Sequence, residues 1–220
     1  MNAINGELMD GLGDVVTELS ADPEVKALII SGAGRGFCAG ADLDYLHDIL
    51  EDNARYFDFV QRFNRLFLLI EDAPIPVIAM VHDLALAGGL ELLLACDFAV
   101  AAEDARIGDQ HGTYGLMPGG GSTQRLPRRI GLLRAKEMLF AADWISGARA
   151  AEIGLVLSAV PRDDLEACTW ALARRFVDKS RRCTALTKRA VQRGLHLPCA
   201  RPSSRRPMRS PSTSPPPRAR

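Results

Sequence analysis

No two of the five cysteines, Cys38, Cys96, Cys168, Cys183 and Cys199, stand as a CxxC pair, and their number is odd. They read as free thiols in a reducing compartment, and a metal site is improbable. The opening residues, MNAINGELMDGL, hold neither a basic cluster nor a long apolar run, so no secretory leader is visible. The most apolar stretch, residues 84–96, is interrupted by Glu91 and too short to cross a bilayer. A cytoplasmic protein without a membrane partner is therefore expected. No Gly-Lys followed by Ser or Thr closes a phosphate loop. GAGRGF at 32–37 follows an apolar run as a dinucleotide fingerprint would, but its third glycine falls at Gly36 and Phe37 stands where Gly or Ala is needed. No basic stripe with interleaved aromatics occurs, which argues against nucleic acid.

What is present fits one catalytic domain. The chain has 220 residues, 47% of them hydrophobic and 25% charged, enough to bury a core. Basic and acidic residues balance at 27 each, yet six arginines and no acid follow Pro198, leaving 21 basic against 27 acidic residues before it. Residues 196–220 are rich in Pro, Ser and Arg and cannot bury enough surface to offset their ordering entropy, so a disordered tail is expected after a domain spanning 1–195.

Within that domain, apolar spacing predicts helices over 7–19 and 53–70, the latter with Phe59, Phe63, Leu66 and Ile70 on one face. Short apolar runs at 25–30, 76–81, 98–101 and 155–160 read as strands. Further helices are expected from Gly88, over 121–141 in two pieces split near Gly131, and over 145–153 and 165–177. Alternating strands and helices imply an α/β fold with parallel pairing.

Two stretches carry the chemistry: GRGFCAGADL at 34–43 and LALAGGLELLLACD at 84–97. Each places a small-residue turn after a strand, where backbone can approach a ligand closely. The amide of Ala41 is a candidate donor at the first turn. Gly88 opens a helix, whose first amides lack intrahelical partners and carry partial positive charge, so its N–H is a second candidate. Two fixed N–H donors aimed at one oxygen make an oxyanion hole. Glu91 follows Gly88 by three residues, on the same helical face, where it would act as a general acid or base. The alternative is a buried structural carboxylate with a hydrogen-bonding partner.

Strand, AGAD turn, strand, AGGLEL helix and the later GLMPGGGSTQRL occur in an order that resembles the enoyl-CoA hydratase/isomerase, or crotonase, superfamily. The resemblance implies an α/β crotonase spiral of β-β-α units, usually assembled as homotrimers or hexamers. It implies acyl-CoA thioester chemistry through an enolate held by the amides of Ala41 and Gly88, with CoA as part of the substrate and no metal or other cofactor. Phe37, Ala39, Asp42 and Leu43 would lie near the adenosine end of CoA, with Gly89 and Tyr114 as further substrate contacts; Tyr114 would hold a water or simply pack.

Three departures accompany it. Aligned through Gly115 to Gly121, His111 stands where hydratases of the family carry a second glutamate. A histidine can accept or donate a proton near neutrality, so His111 either completes the acid–base pair, with Asp109 two residues away to orient it, or lines the acyl pocket. The chain starts within the segment resembling NAL, at Asn2-Ala3-Ile4, without the usual opening strands. After about Leu195 the usual C-terminal helices are replaced by the basic tail, read either as an arm for anionic partners or, preferentially, as a sequence outside the family's reading frame or truncated. Hydration of a 2-enoyl-CoA to a 3-hydroxyacyl-CoA is the expected reaction, with double-bond isomerisation or silent acyl-CoA binding as alternatives.

Overall fold

The computed structural model describes residues 1–194, so expectations for the tail at 196–220 lie outside the described residues. The chain winds in repeated turns, each giving one strand to each of two sheets. The first turn holds α1 (Gly6–Ala21), β1 (Leu28–Ser31), β2 (Gly36–Cys38), α2 (Leu43–Ile49) and α3 (Asn53–Asp72). The second holds β3 (Val77–Val81), β4 (Leu84–Leu86) and α4 (Gly88–Ala95). The third holds β5 (Phe98–Ala102), β6 (Arg106–Gly108), a single 3-10 turn at His111–Tyr114, α5 (Ser122–Ile130) and α6 (Leu132–Ala141). Then follow β7 (Trp144–Ser146), α7 (Gly147–Glu152), β8 (Ser158–Val160), α8 (Leu165–Arg174) and α9 (Arg181–Gly194).

One sheet runs β1-β3-β5-β8 and the other β2-β4-β6-β7, so, apart from the final β6–β7 pair, strands adjacent in space are not adjacent in sequence. This is the expected β-β-α spiral. The first sheet is parallel throughout, with Ile29 opposite Ile78 and Ala79 opposite Ala99. Its strands are short apolar runs because both faces are covered: Val77, Ile78, Ala79 and Val81 are fully buried. The second sheet departs from all-parallel pairing at β7, which lies antiparallel on β6. β7 also corrects the helix expected over 145–153, which begins only at Gly147, after Ser146 turns its hydroxyl to cap the Arg149 amide.

Two helices position the site. In α3, Asp52 caps the Ala54 and Arg55 amides, and Phe59, Phe63, Phe67 and Ile70 line the buried stripe. Phe63 and Phe67 meet at a ring-centroid distance of 4.5 Å, forming an aromatic wall against α4. All eight residues of α4 are buried, as its all-round apolar composition requires. Glu91 is the single charged residue in it.

Candidate active site

The N-terminal segment shapes the first bend. Asn2 Nδ2 donates to the carbonyls of Ala33, Gly36 and Phe37. The Ile4 amide donates to Gly40 O at 2.7 Å, and the Asp42 amide to Ile4 O at 2.9 Å, bracketing Ala41. Along an extended chain successive N–H groups alternate sides, so the amide between those two contacts points away from Ile4. No acceptor among the described residues takes the Ala41 N–H.

The second bend is held by β6. Ala87 donates to Gly108 O at 3.0 Å and adopts a φ of +50°, a conformation costly for a residue with a Cβ, of order 1–3 kcal/mol. Immediately after it, Gly88 begins α4 with its N–H unclaimed among the described residues. The bends touch: a Cβ on Gly40 would lie 3.2 Å from the Gly88 nitrogen, and one on Gly88 would lie 3.4 Å from Gly40 Cα and 2.7 Å from the Phe63 ring. Both glycines are demanded by this close approach, and Gly40 additionally by its φ of +99°.

Glu91, one turn into α4, is fully buried. Its Oε1 accepts the amides of Gly120 at 2.8 Å and Ser122 at 3.0 Å, at the N-terminus of α5. Oε2 has no hydrogen-bond partner among the described residues. It faces His111 Nε2 at 3.8 Å, and His111 Nδ1 lies 2.9 Å from Asp109 Oδ1. Burial drives the Glu91 pKa above its ordinary 4.5, against the opposing pull of His111 and the two amides. Burial works the other way on His111, but the hydrogen bond and charge of Asp109, with the charge of Glu91, outweigh it and raise its pKa.

Ala41, Gly88, Glu91 and His111 share a pocket of about 50 Å³, walled by Tyr56, Phe59, Phe63 and Leu116. That is room for water, which needs roughly 10–15 Å³ of such volume. Larger hollows of about 530 and 620 Å³ lie elsewhere, but neither joins a buried carboxylate to an imidazole and unclaimed amides. Chemistry rather than size selects the small one.

The other sequence candidates spread out. Phe37 is buried and borders the 530 Å³ hollow instead. Asp42 caps α2 through the Asp44 and Tyr45 amides, while Leu43, at the first position of that helix, is exposed. Ala39 donates its amide to Met1 O. Gly89 packs where a Cβ would strike Cys38 O at 2.1 Å, so its smallness serves helix–strand packing. Tyr114 is 58% exposed and stands outside the residues lining the small pocket. The Gly120 and Ser122 amides went unread; the glycine run before α5 was their signal.

No group of three or more His, Cys, Asp or Glu side chains placed to hold a metal ion occurs among the described residues. The family model described as enoyl-CoA hydratase/isomerase matches residues 1–206. A crotonyl-CoA hydratase of Syntrophomonas wolfei is 39% identical over 196 residues, 89% of this chain and 75% of the relative. A short-chain-enoyl-CoA hydratase of Clostridium acetobutylicum is 35% identical, over 89% of this chain and 74% of its own. The crystal structure of an enoyl-CoA hydratase from Bacillus anthracis superposes with a TM-score of 0.85 at 35% identity, covering 89% of this chain and 76% of that one. The chain belongs to the enoyl-CoA hydratase/isomerase family.

Proposed function

We propose that the chain adds water across the double bond of a 2-enoyl-CoA, giving a 3-hydroxyacyl-CoA. The observation that carries this reading is the unpartnered Glu91 Oε2, 3.8 Å from His111 Nε2 and in one pocket with two unclaimed amides. The thioester oxygen accepts the N–H groups of Ala41 and Gly88, which leaves the β-carbon electrophilic. Each such donor is worth about 3–4 kcal/mol in a transition state that develops an oxyanion. As water attacks the β-carbon, the Glu91 carboxylate takes one of its protons; burial makes this carboxylate a stronger base than an exposed one.

The electron pair of the double bond moves onto the thioester as an enolate and returns to the α-carbon, which takes a proton from the His111 imidazolium. Glu91 is then neutral and carboxylic, His111 a neutral imidazole. One proton passing from Oε2 to Nε2 restores the pair. The thioester is the electron sink, so the scheme needs no cofactor beyond the CoA of the substrate. Ala39, Asp42 and Leu43, around the first bend, are proposed to meet the CoA moiety. The free thiols of Cys38, Cys96, Cys168 and Cys183 suit a cytoplasmic enzyme.

Steady-state turnover of a short 2-enoyl-CoA tests the reading. Saturable formation of the 3-hydroxyacyl product, with oxygen drawn from labelled water, is expected. Migration of the double bond without that oxygen would point to the isomerase, and binding without turnover to a silent homologue; either result would overturn it.

A further inference from the structure

Asp109 has no role in the scheme above, yet it is fully buried and lies beside the buried Glu91. A buried carboxylate used only to shape a loop is expensive, because an amide would accept the same bonds without a charge. Its Oδ1 takes both the backbone N–H of His111 at 3.2 Å and the ring Nδ1 at 2.9 Å. Its Oδ2 has no partner among the described residues. The carboxylate is fixed from both sides. Gly108, just before it, packs so closely that a Cβ would meet Asp143 O at 2.4 Å and Trp144 Cα at 2.6 Å. The Gln110 side chain, just after it, donates its Nε2–H to Ala142 O.

We infer that Asp109 is a positioning residue: by accepting Nδ1–H it turns His111 Nε2 towards Glu91 Oε2 and holds the ring as an imidazolium. This rests on the hydratase reading for its use in turnover. Charge balance supports it. The groups acting on the imidazole are Asp109, just after β6, and Glu91, from α4, while Leu139 on α6 and Ala142 just beyond it lie against Gly112 of the same turn. Two carboxylates in one buried cluster favour a cation between them, and His111 is the group that meets both. Asp109 also fixes the tautomer: with Nδ1 always the donor to it, Nε2 alone changes protonation during turnover.

Asp109→Asn keeps an acceptor for Nδ1–H but removes the charge, so His111 should lose its proton at lower pH. Because His111 must be protonated to act, activity should fall as pH rises through its pKa. In the variant, the alkaline limb of kcat should move to lower pH, with kcat near neutrality down about tenfold or more, out of the 10²–10⁴ available to acid–base catalysis, and with KM little changed. Asp109→Glu should recover part of the loss. The second readout needs no activity: nitrogen NMR of His111 in the free protein, titrated in both forms, should show Nδ1 protonated and a lower pKa in the Asn variant. An identical His111 titration in the two proteins would overturn the inference even if hydration is confirmed. A shifted titration in a chain that hydrates nothing would keep Asp109 as the positioning residue and sink the hydratase reading alone.

Discussion

Glu91 is asked to be stable and reactive at once, and its surroundings set those demands against each other. Two amides favour its ionised form, burial disfavours it more strongly, and the net pKa lies above 4.5. A carboxyl group whose folded-state pKa is raised contributes stability below its unfolded value and loses it as pH rises through the folded one. Glu91→Gln should therefore lower kcat by about 10²–10⁴ while leaving KM near its original value. The same variant should melt at a higher temperature than the parent at neutral and alkaline pH, with the gap closing as pH falls towards 4.5. Thermal melts across that range check it; a gap that widens on acidification would contradict the assigned direction. This residue was legible because the sequence AGGLEL places a carboxylate one turn after a helix-opening amide. Its anchors were not, because Gly120 and Ser122 lie some thirty residues away, at 31 positions for Ser122, and only the fold brings them close.

Elements show the same division. Helix α3 was readable from its spaced aromatics, and the core strands from unbroken apolar runs, since both patterns record burial directly. β2, β4, β6 and β7 are three residues each, shorter than any periodicity, and exist through their neighbours in the second sheet. α9 escaped notice for a different reason: it has no fully buried residue and is held by polar contacts. Lys188 Nζ reaches Asp97 Oδ2 at 2.6 Å and the carbonyls of Ile70 and Ile75, and Gln192 donates to Glu71 O at 2.7 Å. The Lys188 and Asp97 side chains are only 8% and 17% exposed. Removing one partner strands the other, so Lys188→Ala should destabilise the protein by about 3 kcal/mol and release α9. Urea titration and hydrogen exchange of the α9 amides measure this. Adding Asp97→Asn should recover most of the loss; unchanged exchange in Lys188→Ala would show that α9 is held elsewhere.

On the scale of the whole molecule, the body closes its core but leaves several large apolar side chains exposed. Leu132, Leu133 and Phe140 on α6 are 61%, 80% and 79% exposed, and Trp144 stands nearby in sequence at 52%. A contiguous exposed apolar patch marks an interaction surface, and α6 is proposed to belong to one. We propose a homotrimer as the assembly that covers these side chains. Sedimentation should give about three times the 23.9 kDa chain mass, and Leu133→Glu with Phe140→Glu should return the single-chain value. A parent that sediments as a monomer, or a double variant that stays trimeric, would place the contact elsewhere. No helix among the described residues is long and apolar enough to cross a membrane.

Two bends, made by distant parts of the chain, are proposed to offer their N–H groups to one oxygen beside Glu91. A crystal structure with a bound 3-ketoacyl-CoA, which enolises readily at its α-carbon and has no 2,3 double bond to hydrate, tests this directly. The thioester oxygen is expected about 2.7–3.1 Å from both the Ala41 and Gly88 nitrogens, with its α-carbon facing the Glu91–His111 pair. An oxygen bound to only one of those amides, or a thioester seated in another hollow, would contradict the assignment.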